Sequence, residues 1–309
     1  MMRIAVTGAR GQLGAAVAYE CAQAHEVIAF AHAELDIGDD AAVADAMARA
    51  KPDVILNGAA FTDVDAAEDR PVEALTVNAF GVRALASAAR THGAALVHFS
   101  TDFVFDGRTS VPYTERDRPN PQNVYAASKL LGEWFALDAP CAYVLRVESL
   151  FGRAPGAPPE KGSAAGIART LLSGGSPNVF EDRTVSPTYI PDGARAVRRL
   201  IESDAPPGIY HCVNSGRCTW LELAQEIVRR LGIEPRLTPV RMSDMKLRAS
   251  RPQFCALSND KLRGVGIDMP TWQEAVARFV DALRLDDGFA RAAASMAHDA
   301  KNGKAGRQG

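Results

Sequence analysis

The chain has 309 residues, 47% of them hydrophobic, and balances 35 Lys and Arg against 37 Asp and Glu for a formal charge of −2. That make-up suits one or two globular domains with an ample core, and near-neutrality gives no electrostatic reason to expect a nucleic acid or a membrane surface as partner. No apolar run approaches the roughly 20 residues of a bilayer span. Five scattered cysteines without a C-x-x-C pair, six dispersed histidines and an N-terminus unlike a signal peptide lead us to expect a reduced, cytoplasmic protein with no protein-built metal site.

The first informative stretch is RIAVTGARGQLGAAVAYECA (3–22), an apolar strand, a glycine-rich turn and an alanine-rich helix. Gly8, Gly11 and Gly14 are spaced G-x-x-G-x-x-G, one residue longer than the dinucleotide fingerprint, and the same physics applies. Glycines let backbone N–H groups approach a pyrophosphate at the positive end of the helix. EVIAF (26–30) is a second strand, followed by a helix that Asp39 or Asp40 caps, and PDVILNGAA (52–60) is a third strand. A helix over 77–93 and a strand over 94–101 come next. NPQNVYAASKLLGEWFAL (120–137) reads as a helix, and AYVLRV (142–147) as a fifth strand.

Short apolar strands alternating with helices predict an α/β fold, a doubly wound, Rossmann-like parallel sheet covered on both faces. We assign residues 1–150 to this dinucleotide-binding domain, with 185–215 returning to it in part. Residues 151–184 and 216–286 are expected to form a smaller, discontinuous substrate domain, with 287–309 a partly disordered tail. GRAPGAPPEKG (152–162) reads either as a lid or as a variable connection.

Ligands of such sheets lie outside the carboxyl ends of the strands. Thr101, with Ser100 beside it, stands at one such end, where its hydroxyl either meets a substrate carbonyl or caps the turn. Tyr125 and Lys129, four residues apart, share one helix face. An ammonium that brings a phenol from about 10 down to neutrality must supply roughly 4 kcal/mol. Together with the glycine turn, these groups match hydride transfer to or from a carbonyl. The second strand ends Phe30-Ala31-His32 without an acid for a ribose 2′-hydroxyl, while Arg10 is placed to meet a 2′-phosphate, so NADPH is the expected cofactor and NADH is also admitted. Arg183 and Arg251 are either diphosphate clamps or partners in surface salt bridges.

TGARGQLG (7–14), HFSTDFVFDG (98–107), PYTERDRPNPQNVYAASKLLGE (112–133) and the S/T-then-Y-x-x-x-K order resemble the extended short-chain dehydrogenase/reductases. Within them the chain is most similar to the dTDP-4-dehydrorhamnose reductases, over nearly its whole length up to about Leu285. The resemblance implies Tyr125 as general acid, Lys129 as ribose anchor and pKa modifier, and Thr101 as partner of the substrate carbonyl. It implies a cofactor lining of Gly8, Arg10, Gly11, Gln12, Leu13, Asp36, Ile37, Ala59, Ala60, Thr62 and Asn78, with Tyr125 and Lys129. Asp102, Phe103, Glu148, Arg183 and Arg251 are then the expected substrate contacts. Phe103 stands where the family usually has Tyr, and LRVESLFG (145–152) replaces a run that usually reads L-R-T-S-W-V.

The resemblance implies reduction of a nucleoside-diphosphate 4-keto-6-deoxysugar, with a nucleotide sugar as partner and a homodimer as a compatible assembly. Two other readings stay open at this point. One is an epimerase or dehydratase of the same superfamily, and the other a non-catalytic NADP-binding subunit resembling the regulatory subunit of methionine adenosyltransferase.

Overall fold

A computed structural model describes residues 1–157 and 162–285, so part of the expected lid and the expected tail lie outside the described residues. Its centre is a sheet of β1 (Arg3–Thr7), β2 (Glu26–Phe30), β3 (Val54–Asn57), β4 (Ala95–Thr101), β5 (Ala142–Val147) and an edge strand, Gly208–His211. The order is β2-β1-β3-β4-β5-edge, with every pairing parallel. β5 is buried at all six positions and β4 at six of seven, which is why both read as unbroken apolar runs. Helices Gln12–Cys21 and Ile190–Ile201 cover one face, through Val17, Cys21, Val197 and Leu200. Helices Asp40–Ala50, Gly81–His92 and Val124–Leu137 cover the other, through Met47, Leu85 and Ala136.

The strand order reverses at β1, which lies between β2 and β3, and there the glycine turn meets the end of β3. Gly8 has φ 63°, and a Cβ on it would lie 2.5 Å from the Ala59 nitrogen. Only glycine allows the two turns to touch.

A second apolar core gathers Phe151, Leu171, Trp220, Ile227, Trp272 and Phe279. Helices Ser163–Leu172, Trp220–Leu231 and Trp272–Arg284 supply most of it, the last two opened by capping boxes at Thr219/Glu222 and Thr271/Glu274. Two small sheets complete it, Asn178–Phe180 parallel to Thr238–Val240 and Thr184–Val185 antiparallel to Cys218–Thr219. Leu262, Ile267 and Met269, which the sequence reading put with the second domain, pack instead into the core of the central sheet.

Two short helices, Val64–Asp69 and Pro71–Leu75, have no counterpart in the sequence reading, because neither is long enough to show a periodicity. Asp63 caps the first and a proline opens the second. The helix expected over 77–93 begins as a π-helical turn, Thr76–Phe80. Gly132, in Val124–Leu137, crosses it so closely that a Cβ there would lie 2.2 Å from the Asn78 carbonyl oxygen. Gly132→Ala should therefore cost about 1–3 kcal/mol despite alanine's better helix propensity, a loss that chemical denaturation would read directly.

Candidate active site

A cleft of about 360 Å³ opens at the carboxyl ends of the strands. The glycine turn contributes Arg10, Gly11, Gln12 and Leu13 to it, and the end of β3 contributes Asn57 to Ala60 with Thr62. Helix Gln12–Cys21 starts at Gly11 with no side-chain cap and no acid in its first turn, so its leading N–H groups face the cleft without a protein partner. That is the condition for binding an anion at a helix N-terminus. Gly14 keeps the turn tight, since a Cβ there would lie 2.3 Å from the Gly8 carbonyl oxygen. The loop thus fits the pyrophosphate of a dinucleotide. Arg10 is exposed at the cleft's rim. At the end of β2, however, the Glu34 carboxylate turns back and accepts a hydrogen bond from the Ala31 N–H at 2.6 Å.

The far wall is built by β4, β5 and helix Val124–Leu137. Asn123 caps this helix by accepting from the Ala126 N–H at 2.7 Å, and Tyr125 and Lys129 line the cleft from it. The Lys129 ammonium donates to the Phe99 carbonyl at 2.6 Å, and burial brings its pKa down to about 8. The Tyr125 phenol moves in the other direction from the sequence expectation. Burial raises it, the Asp102 carboxylate raises it further, and the Thr101 hydroxyl offsets only part of this. Thr101 itself caps the turn after β4, accepting from the Phe103 N–H at 3.2 Å and donating to Asp102 Oδ1 at 2.9 Å. The turn-capping reading of Thr101 is thus met. The Phe103 ring meets Tyr125 edge-on, with centroids 5.8 Å apart.

Beside this wall lies a buried polar group that joins the two cores. Asp102, Glu148 and Cys255 bring side-chain O and S atoms within 4.8 Å of one another. Arg183 stands against them, 3.9 Å from Asp102 and 3.7 Å from the Cys255 sulfur, with its guanidinium over the Phe103 ring at 5.2 Å. Arg183 was expected to clamp a diphosphate or to sit in a surface salt bridge, and it is instead buried. Arg251 makes a bidentate pair with Asp65, at 3.0 and 2.8 Å, the salt bridge that was one of its two readings.

The model of the RmlD substrate-binding domain family matches residues 2–285. This chain belongs to that family. It is 35% identical to the dTDP-4-dehydrorhamnose reductase of Sinorhizobium fredii over 297 residues, covering 92% of this chain and 99% of that one. It is 33% identical to the spore coat polysaccharide biosynthesis protein SpsK of Bacillus subtilis, covering 91% and 97%. The crystal structure of dTDP-4-dehydrorhamnose reductase from Bacillus anthracis, in complex with NADP, superposes with a TM-score of 0.84 at 32% identity over 90% of this chain and 98% of that one.

In this RmlD-family chain the cleft gathers Arg10, Gly11, Gln12, Leu13, Ala59, Ala60, Thr62, Tyr125 and Lys129 from the sequence candidates, with Gly8 beneath them. Three others are not among the residues that line this cleft. Ile37 is buried in the core, Asp36 accepts from the Gly38 N–H, and Asn78 braces the Phe61 backbone and the Ser128 hydroxyl. Phe99, Asn57 and Val147 also line the cleft and escaped the sequence reading, because nothing local distinguishes them from core residues. Cys255 escaped it too, lying in no recognisable motif.

The lowered pKa of Lys129 has a measurable consequence. Between about 8 in the fold and 10.5 in the unfolded chain, the unfolded state holds the extra proton. The stability contribution is therefore complete above 10.5 and is lost as pH falls through about 8. Melting curves should show wild type gaining on Lys129→Met as pH rises through this window, by up to about 1.4 kcal/mol per pH unit. A difference independent of pH would contradict the burial argument.

Proposed function

We propose that this protein uses NADPH to reduce the 4-keto group of a nucleoside-diphosphate 6-deoxysugar, converting dTDP-4-dehydrorhamnose to dTDP-L-rhamnose. The observation that carries the reading is the convergence of Tyr125 and Lys129, with the strand-end Thr101 beside the phenol, on a cleft whose other wall is an uncapped helix N-terminus. The reductases of similar sequence support the choice of sugar. Matches to nucleotide-sugar epimerases and dehydratases run at 23% identity or below and bear only on the fold.

Bound NADPH would supply the hydride that the keto carbon accepts. Tyr125 gives its phenolic proton to the keto oxygen as negative charge develops there. Its raised pKa keeps that proton in place until the acceptor becomes basic enough to take it. Thr101 steadies the same oxygen. The N–H groups around Gly11 hold the cofactor's diphosphate, and Lys129, fixed on the Phe99 carbonyl, holds its ribose. The core of the central sheet serves the dinucleotide and the second core the sugar nucleotide. Five unpaired cysteines accord with a cytoplasmic setting.

Net NADPH oxidation with a keto-sugar nucleotide separates this reading from an epimerase, which recycles its cofactor, and from a binding subunit, which turns over nothing. Tyr125→Phe should fold and bind NADPH while its kcat falls about 10²–10⁴-fold. Near-wild-type turnover in that variant sinks the mechanism. For the cofactor, Arg10→Ala should lower the kcat/KM preference for NADPH over NADH by about tenfold or more, the worth of one charge-assisted contact to a phosphate. An unchanged preference would give that role to another residue.

A further inference from the structure

Beside the candidate acid, two carboxyl groups share one cation. Asp102 and Glu148 are 3% and 2% exposed, and the Arg183 guanidinium is the positive charge between them. Asp102 takes the better part of it, with Arg183 at 3.9 Å and the Thr101 hydroxyl at 2.9 Å. Neither oxygen of Glu148 accepts a well-formed hydrogen bond, and Asp102 Oδ2 also lacks one. The neighbouring thiols Cys218 and Cys255 are pushed up by burial and stay neutral, so they contribute no countercharge. A buried carboxylate without a partner is costly, and two that face each other do not both ionise. Burial and the Asp102 charge together lift Glu148 well above the usual carboxylate range, the Ser186 N–H and Arg183 only partly opposing them.

We propose, resting on the ketone-reductase reading above, that Glu148 and Asp102 hold one proton between them and return it to Tyr125 through the Thr101 hydroxyl after each reduction. The path is short. The Glu148 and Asp102 oxygens lie within 4.8 Å, a span that one water covers, Asp102 Oδ1 already accepts from Thr101, and the Thr101 hydroxyl lies beside the phenol. When the Tyr125 O–H bond breaks and its proton goes to the keto oxygen, the phenolate takes the Thr101 proton. The proton of Glu148 passes to the Asp102 carboxylate, and Thr101, its hydroxyl having turned from Asp102 to the phenolate, takes that proton from Asp102. Tyr125 is restored, Glu148 is left as carboxylate, no electrons move along the chain, and Glu148 reloads from solvent. The same oxygens and sulfur would suit a cation in other surroundings, but here Arg183 already supplies the positive charge.

The test compares wild type with Glu148→Gln, using NADPH and a nucleoside-diphosphate 4-keto-6-deoxysugar that wild type reduces. The variant should show a burst of one NADPH oxidised per enzyme, then a steady-state kcat at least about tenfold lower, with a larger solvent deuterium isotope effect. Wild-type kcat should fall at alkaline pH both as the pair loses its proton and as Lys129 loses its own near 8, and the variant should keep only the Lys129 part of that fall. An unchanged kcat and pH profile in an otherwise active variant overturns the relay and leaves the reductase reading intact. Wild type inactive on every such sugar overturns both. Stoichiometric metal in purified wild type, lost in Glu148→Gln, makes the cluster a cation site and overturns the relay. Should the variant fail to fold, infrared spectra of wild type decide. A protonated-carboxyl band at neutral pH that vanishes together with kcat supports the proposal, and its absence at neutral pH overturns it.

Discussion

The fork between Arg146 and Glu133 holds the reacting helix in its register on the sheet. Arg146, in β5, donates from Nε to Glu133 Oε1 at 2.8 Å and from Nη2 to Oε2 at 2.7 Å, and both side chains are 1% exposed. Its guanidinium also lies over the Phe105 ring at 4.9 Å. Such a pair adds little net stability against an apolar isostere, yet losing one partner strands a charge at about 3–5 kcal/mol. Its effect is geometric. Glu133 lies one helical turn beyond Lys129 and two beyond Tyr125, so pinning it to β5 fixes both over the strand ends. Neighbouring His211 does not compete for the carboxylate, since burial first and Arg146 second bring its pKa down to about 3.

A second polar seam runs beneath the cleft, at right angles to the strands. The Thr7 hydroxyl donates to Asn57 Oδ1 at 2.7 Å, and the Asn57 amide reaches His98 Nδ1 at 3.1 Å, linking β1, β3 and β4. The same Asn57 oxygen accepts from the Ala59 N–H and so shapes the turn against which Gly8 packs. His98 stays neutral because burial, and then the Lys129 ammonium, depress its pKa. The floor of the cleft is thus a set of uncharged hydrogen bonds, with the Lys129 ammonium set into it. Its proximity to the Glu133 charge limits how far burial lowers it.

What could be read from the sequence was what depends on neighbours in the chain. The strand and helix alternation, the glycine turn and the Tyr125/Lys129 spacing are local patterns, and each stands where its period put it. The electrostatics were not local. Four-residue spacing suggested that Lys129 would depress the Tyr125 phenol, but the ammonium is held by the Phe99 carbonyl, and the charge that reaches the phenol comes from Asp102 in another element. Arg251 finds its partner 186 positions away in Asp65, and Arg183 finds Asp102 across the junction of the two cores. No spacing rule connects such positions. The short helices between Val64 and Leu75 were hidden for the opposite reason, being too brief for any period to register.

Phe103 shows how these long-range contacts converge on the reacting group. It meets Tyr125 edge-on and its face carries Arg183, so one ring touches both the phenol and a guanidinium. A cation in direct contact with the phenol would stabilise the phenolate and ease loss of the proton before any substrate is reduced. Arg183 instead packs on the Phe103 face and spends its charge on Asp102, and the carboxylate acts on Tyr125 with the opposite sign. Phenylalanine brings no hydroxyl here, so its contact with Tyr125 is apolar. Burial and the Asp102 charge favour a tyrosine that holds its proton tightly at rest, which suits the proposed role of an acid in the reducing direction.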